Sequence, residues 1–359
     1  MPSVQKRNYS LLGPERRRAE EKGLVDAEWY QSPVPRARLK ELMKRRDGPP
    51  LRDTILWFAL LAVTGYAGYL SWGTWWAVPA FAVYGIVYMT PAASRWHEFS
   101  HGTAFKTPWM NEVMYQICSF MIGVQATYYR WSHARHHSNT IIVGVDPEII
   151  APRPPSWRNL ILGLFRLNRL YKFFEGYVKH SFGRLSAEEE EFIPESERRK
   201  LGWEARAYLA ALLVLIALCA YTRSILPAMY FGLPIFYGRL LITPLAYTQH
   251  LGLHEDVLDH RLNSRTFYTN AIIRFLYTNM NYHIEHHMYP MVPYYNLPAL
   301  HEEIKADCPP ATRGFLAAVK EVAVALWRQR KDPGYTLPRP LPPTARPYKY
   351  GPDSPAPAN

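Results

Sequence analysis

The residues in this chain best suited to chemistry are histidines, and their spacing says more than their number. The chain holds 13 of them, and most fall into three groups. His97 and His101 stand in His-Glu-Phe-Ser-His, and His133, His136 and His137 in His-Ala-Arg-His-His. His283, His286 and His287 stand in His-Ile-Glu-His-His. His250 is apart, in Thr-Gln-His-Leu-Gly-Leu-His, with His254 four residues on. On an α-helix, residues three and four apart share a face. Each group can therefore aim two or three imidazoles at one point. Imidazole suits iron, copper and zinc alike, so ligand type alone does not choose the metal. One ion cannot use eight or nine imidazoles, because zinc takes about four ligands. Two ions could use them and keep positions open for oxygen.

A rival pattern overlaps the first group. His97-Glu98-Phe99-Ser100-His101 also satisfies H-E-x-x-H, in which Glu98 would be the general base of a membrane zinc metalloprotease. That alternative leaves the second and third groups without a role. In an oxidase, Glu98 becomes a carboxylate that orients a ligating imidazole, a duty for which Glu285, Asp256 and Asp259 are further candidates. His254 stays open between ligand, neighbour of a ligand and neither. His180, His260 and His301 read as structural or supporting. A haem carrier is a third class, but the groups lie at span ends and contain adjacent His-His pairs, which favours a di-metal pocket.

These groups need elements that bring them together. Apolar runs cover roughly residues 54–72, 75–93, 205–221 and 226–249, each near the roughly 20 residues that cross a bilayer. Short links, Gly73-Thr74 and Thr222–Ile225, make two helical hairpins. Arg239 inside the fourth run must snorkel or face a polar interior. The first and second histidine groups follow run two, His250 ends run four, and the third group comes after it. The chain crosses the membrane an even number of times between the second and third groups, so all emerge on one face. The stretch 113–126 is too short to span and reads as a buried or re-entrant helix. Residues 138–202 read as a polar cytoplasmic insertion with interfacial helices, such as 157–179. Residues 1–50 form a basic cytoplasmic arm, with an amphipathic helix near 35–46. Residues 51–305 form the catalytic unit. Residues 306–359 form a C-terminal helix and a Pro-rich tail. The expectation is an all-α membrane protein of two hairpins, about four spans, under a cytoplasmic helical cap.

Composition narrows the class. Net charge is +12 and the aromatic share is 14%, with 11 Trp and 25 Tyr, rings that settle at membrane interfaces. The basic residues flank apolar runs, as at Lys44, Arg45, Arg46 and Arg52, which marks the cytoplasmic side rather than a nucleic-acid surface. Cys118, Cys219 and Cys308 form no CxxC pair, which argues against a disulfide framework or an iron–sulfur cluster. Residues 1–50 lack the apolar core of a signal peptide.

The order H-x3-H, H-x2-HH and a distant H-x2-HH, interleaved with two hairpins, resembles the membrane fatty-acid desaturase superfamily over roughly residues 50–305. Asn281 to Pro290 looks like its third histidine box, and Val292 to His301 like the usual continuation. The resemblance implies a non-haem centre of two irons that activates O2 for desaturation, hydroxylation or related C–H oxidation. It carries over His97, His101, His133, His136, His137, His283, His286 and His287 as ligands. Gln249-His250 resembles the extra-histidine segment of alkane hydroxylases, which adds His250 as the ninth. Acyl-CoA desaturases have an asparagine one turn earlier, where this chain has Ala246. Val-Asp-Pro-Glu-Ile and Asp-His-Arg-Leu-Asn-Ser-Arg-Thr resemble a bacterial subgroup similar to the rhizobitoxine-pathway desaturase and rhizopine-linked hydrocarbon oxygenases. With no dinucleotide fingerprint in the chain, the implied partner is a separate electron donor with its reductase: a ferredoxin, the Rieske type included, or a cytochrome. The implied setting is membrane lipid, in a bacterial inner membrane, with both termini and the active site cytoplasmic.

Overall fold

The structure, a computed structural model, describes residues 7–348. Its helices run in the order α1 Pro14–Glu21, α2 Arg36–Leu42, α3 Gly48–Ser71, α4 Ala77–Ser100, α5 Pro108–Ile122, α6 Ala126–Ser138, α7 Trp157–Gly163, α8 Leu170–Ser181 and α9 Ala187–Glu190. Then come α10 Glu195–Thr222, α11 Leu226–Tyr230, α12 Pro234–Tyr237, α13 Arg239–His250, α14 His260–Asn263, α15 Ala271–Leu276, α16 His283–Met288, α17 Leu297–Ile304 and α18 Phe315–Gln329. A two-residue parallel pairing, Phe267–Tyr268 with Thr312–Arg313, is the sheet among the described residues. The protein is an all-α membrane protein.

Four segments are long and apolar enough to cross a membrane: α3, α4, α10 and Leu226–His250. Their outward faces carry Ile55, Val63, Tyr66 and Leu70 on α3, and Leu213, Val214 and Ile216 on α10, all exposed. A patch of that size needs hydrocarbon, not water, against it. Trp75 and Trp76 stand 92% and 74% exposed at the turn between α3 and α4, where amphipathic rings meet the interface. Helix α4 is the axis of the core. Tyr88, Met89, Ala92 and Phe99 on it pack with Tyr115 and Cys118 of α5 and Leu245 of α13.

The fourth span differs from the continuous run that its hydropathy suggests. It is broken into α11, α12 and α13. Pro234 opens α12, and Gly238 links α12 to α13 where the chain presses on α4. A Cβ on Gly85 would lie 2.3 Å from the Tyr237 ring, and one on Gly238 would lie 2.4 Å from the Gly85 carbonyl oxygen. Small residues permit this close backbone approach. It fixes the height at which α13 delivers His250.

The stretch expected to be a short buried helix is α5, which ends at Gly123 in the left-handed region (φ +64°). That turn redirects the chain into α6, and Tyr177 of α8 donates to the Gly123 carbonyl at 2.6 Å. The first turn of α6 is held by α10: Thr127 N–H and Oγ1–H donate to the Glu204 carboxylate at 3.0 and 2.9 Å. A carboxylate at a helix N-terminus satisfies free N–H groups and complements the dipole. The expected interfacial helix over 157–179 is two helices, α7 and α8, joined by a short 3-10 turn.

The N-terminal arm lies on the cap. Arg7 pairs with Glu255 and Asp256 at 3.2 and 2.5 Å. Tyr30 N–H donates to the Leu258 carbonyl at 2.9 Å, and the Arg261 guanidinium lies 3.8 Å over the Tyr30 ring. Residues beyond Asp332 run without helix or strand to the end of the described chain. The rest of the Pro-rich tail, from 349, lies outside the described residues.

Candidate metal centre

Four separate elements bring the histidines together. His97 and His101 close α4, and His133, His136 and His137 lie on α6. His250 ends α13, and His283, His286 and His287 lie on α16. Each end is anchored locally. Arg265, 1% exposed, donates to the Thr248 and Leu251 carbonyls at the end of α13 and pairs with Glu321. A cation there satisfies carbonyls that the helix leaves free. Thr266 Oγ1 accepts from Ile284 N–H in the first turn of α16 at 3.3 Å.

The nine imidazoles sort into two sets. His97, His101, His133, His137 and His286 each offer a nitrogen within 4.8 Å of the others, and His136, His250 and His287 do the same. His283 joins the second set, with its Nε2 at 3.0 Å from His250 Nε2 and 3.1 Å from His287 Nε2. In the first set, Nε2 of His133 is 3.2 Å from that of His101 and 3.1 Å from that of His137, which is 3.2 Å from that of His286. The sets are adjacent: the His137 ring stacks on His287 at 4.3 Å.

The positions of the protons suit this arrangement to a cation. His133 Nδ1 faces the Glu148 carboxylate at 3.1 Å, and His136 Nδ1 faces Asp146 at 2.8 Å. His250 Nδ1 faces the Asn263 carbonyl at 2.8 Å. An acceptor at Nδ1 places the proton there and leaves a lone pair on Nε2. His287 Nδ1 lies 3.2 Å from the Thr140 hydroxyl. His133 and His250 thus turn an Nε2 lone pair toward the Nε2 of His101 and His283 at 3.2 and 3.0 Å. A metal ion between such nitrogens suits this spacing, since nitrogens about 2.1 Å from one ion at right angles are about 3.0 Å apart. The donor set therefore fits two metal ions.

Electrostatics agree. Burial, with neighbouring imidazoles adding to it, holds His133, His137, His283, His286 and His287 well below the usual histidine range. Burial lowers His101 to about 4. These rings are neutral at pH 7, as ligands must be. His136 is the exception: burial pulls it down, but the Asp146 charge and hydrogen bond leave it raised. Burial pushes Glu148 up to about 7.

The two carboxylates expected beside the ligands take other hydrogen-bond partners. Glu98 is 1% exposed; its Oε1 accepts from Thr103 Oγ1–H at 3.0 Å and from Tyr294 N–H at 3.1 Å. It ties the end of α4 to the segment after α16 and hydrogen-bonds none of the nine histidines among the described residues. Sealed in this way, it lacks the access to substrate that a protease base needs. Glu285 bonds His301 Nδ1 at 2.5 Å and Thr266 Oγ1 at 2.6 Å, again away from the nine. Asp256 accepts from Val143 N–H and pairs with Arg7, while Asp259 pairs with Arg261. The carboxylates that do hold imidazoles are Asp146 and Glu148. Neither was singled out for this role, although both stand in the Asp-Pro-Glu that follows the second group.

The remaining histidines are placed plainly. His254 Nε2 lies 3.2 Å from Thr336 Oγ1 and belongs to neither set. His180 bonds Gln125 and Glu189, and His301 bonds Tyr268 and Glu285. His260 is sandwiched between Trp29 and His287. Beside the second set, a small cavity is bordered by His250, Ala246 and Leu251, and across from them by Glu148, Ile149 and Leu326.

Comparison with known proteins gives the arrangement a family. A chloroplastic omega-3 fatty acid desaturase of Sesamum indicum is 22% identical over 272 residues, covering 70% of this chain and 59% of that protein. An sn-2 acyl-lipid omega-3 desaturase (ferredoxin) of Arabidopsis thaliana is 21% identical over 69% of this chain and 58% of its own length. An sn-1 acyl-lipid omega-3 desaturase (ferredoxin) of Nostoc sp. (strain 36) is 22% identical over 58% of this chain and 62% of its own. The chain thus spans about three fifths of the length of these relatives. The model of the family described as fatty acid desaturase matches residues 73–317, a stretch that contains all nine clustered histidines together with Asp146 and Glu148, and the chain belongs to that family.

Proposed function

We propose that the protein is a membrane-bound non-haem di-iron oxidase. It uses O2 and external electrons to desaturate, or hydroxylate, an unactivated C–H position of a fatty-acyl or other amphipathic substrate. The observation that carries this reading is the convergence of nine imidazoles, six of them buried and three half-buried, into two adjacent sets, within which Nε2 atoms approach one another at 3.0–3.2 Å. His97, His101, His133, His137 and His286 hold one iron, and His136, His250, His283 and His287 hold the other. When bound, the iron pair supplies oxygen activation and C–H oxidation. The chain supplies the rest. Glu148, Asp146 and the Asn263 carbonyl keep protons on Nδ1 of His133, His136 and His250, so that Nε2 faces the metal. The small cavity beside His250 has a mixed wall, with Ile149, Ile150 and Leu251 beside Glu148, Arg153 and Glu255.

The names of two relatives include ferredoxin, which supports a separate electron donor for this chain. We place residues 51–305 as the catalytic unit, with the cap and both termini on the cytoplasmic side of a bacterial inner membrane. Lys44, Arg45 and Arg46 before α3, and Arg198, Arg199 and Lys200 in the first turns of α10, favour that orientation. The test is elemental analysis of the detergent-purified protein beside its His286→Ala variant. Two irons per chain, reduced in the variant, are expected. One zinc per chain that survives the substitution would sink the proposal.

A further inference from the structure

Trp29 lies on the N-terminal arm, outside the stretch that the family model matches. It is half-buried, and its Nε1–H donates to the carbonyl of Ser138, the last residue of α6, at 3.0 Å. Its ring stacks on His260 with centroids 4.3 Å apart and planes 5° apart. His260 is 2% exposed, and its ring lies 5.0 Å from that of His287, in the second histidine set. Asn263 braces the stack from behind: its side-chain oxygen lies 3.3 Å from His260 Nδ1, and its carbonyl holds His250 Nδ1. The Trp29 and His260 planes are stacked and the His260 and His287 planes are tilted by 38°, both at ring-contact separations. A continuous path of conjugated rings therefore runs from the outer face of the cap to a ligand position.

Trp29, with Val25 and Ala27, also packs against the small cluster in which Ala19 and Leu24 bury against Ile142, Val145 and Leu258. Packing against that cluster does not by itself require the coplanar stack on His260. We infer that Trp29 and His260 are the relay through which electrons reach the metal centre from a one-electron iron–sulfur carrier protein. This rests on the di-iron reading above. In a desaturation, each reduced carrier loses one electron and two carriers are consumed per turnover. Two electrons, two protons and two substrate hydrogens convert one O2 to two waters. The carrier expected is acidic. Residues 1–46 hold 12 basic residues against 6 acidic ones. Glu15, Glu20, Glu21 and Glu41 are taken up in ion pairs, while Lys22 and Arg36 are exposed without one among the described residues. Asp26 and Glu28 beside the ring are the local exception. Steering by the summed charge of the arm outweighs two exposed carboxylates.

The test mixes full-length, iron-loaded protein with reduced plant-type [2Fe–2S] ferredoxin and follows ferredoxin oxidation by stopped flow. Trp29→Leu and Trp29→Phe are compared, with iron content measured and dithionite as a small reductant that needs no docking. The Leu variant is expected to slow ferredoxin oxidation about tenfold or more, with the Phe variant recovering most of the rate, iron content unchanged and the dithionite rate unchanged. An unchanged rate in the Leu variant overturns the relay. Loss of iron in that variant also overturns it, because Trp29 would then only hold His260 and the second set in place. A wild-type protein that binds no iron fails the di-iron reading instead. An iron-loaded wild type that ferredoxin does not reduce refutes the carrier class.

Discussion

Asp146→Asn should weaken one half of the metal centre and leave the other intact. Asp146 is 2% exposed, and its oxygens are fully used. Oδ2 accepts from His136 Nδ1–H at 2.8 Å and from Ile141 N–H at 2.7 Å, and Oδ1 accepts from Glu148 N–H at 2.8 Å. An amide has one acceptor atom where the carboxylate has two. If its oxygen stays toward the Glu148 amide, its NH2 meets two donors. The Ile141 amide then loses its partner, and the NH2 can bond His136 only if the imidazole moves its proton to Nε2. A protonated Nε2 cannot bind metal. If the amide flips, Glu148 N–H is left unpaired, at about 1–3 kcal/mol for a buried donor. Substituting such a supporting group lowers metal affinity about 10- to 100-fold, or about 1.4–2.7 kcal/mol. His136 belongs to the set with His250 and His287, so the loss falls there. The assay is iron titration of the metal-free protein in detergent, with stoichiometry by elemental analysis. Wild type should take up two irons, and the variant one tightly and one weakly. A variant that binds both as tightly as wild type would refute the tautomer argument.

Three further outcomes are expected. Gly85→Leu should lower the thermal unfolding midpoint in detergent, because a Cβ there already meets the Tyr237 ring at 2.3 Å; overpacking of this kind costs about 1–3 kcal/mol. Glu98→Gln should keep oxidase activity within a few-fold of wild type, since an amide oxygen can still accept from Thr103 and Tyr294, whereas an enzyme using Glu98 as general base would be inactive. The metal-free protein should lose stability on acidification. His101 titrates near 4 when folded, held down by burial, and near 6.5 when unfolded, so the unfolded chain binds more protons between these values and stability falls as pH drops from about 6.5 to 4. Denaturant midpoints of the metal-free protein that do not change over this range would contradict the buried, neutral assignment.

The spans were legible because hydropathy over about 20 residues reports the bilayer directly. The break in span four was not, because Pro234 and Gly238 sit inside a run that stays apolar through them. The start of α10 was also hidden: its first turns, from Glu195, are polar, so the apolar run begins later than the helix does. The histidine spacing pointed correctly to shared helix faces, and the structure brings the nine together. The hydrogen-bond partners of the carboxylates were not legible, for a simple reason. Glu98 follows His97 directly, and neighbours one apart on a helix face different ways. Glu285 stands in the same relation to His286. Asp146 and Glu148 reach their imidazoles from 10 and 15 residues away, through a loop that doubles back on α6, and no periodicity encodes that return. The available signal was chemical: two acids set among Ile141, Val143, Val145, Ile149 and Ile150, where an unpaired charge would be costly.

The sorting of the histidines also gives the protein a timetable. Four of the five rings in the first set, His97, His101, His133 and His137, are synthesised before the second hairpin begins at Glu195, but only His136 of the second set is. Chains emerge N-terminus first, over tens of seconds for a protein of this size. The first pocket is thus nearly stocked while the ribosome is still making α10. The second waits for His250, His283 and His287, so its completion marks a chain in which all four long apolar segments of the described residues are already made.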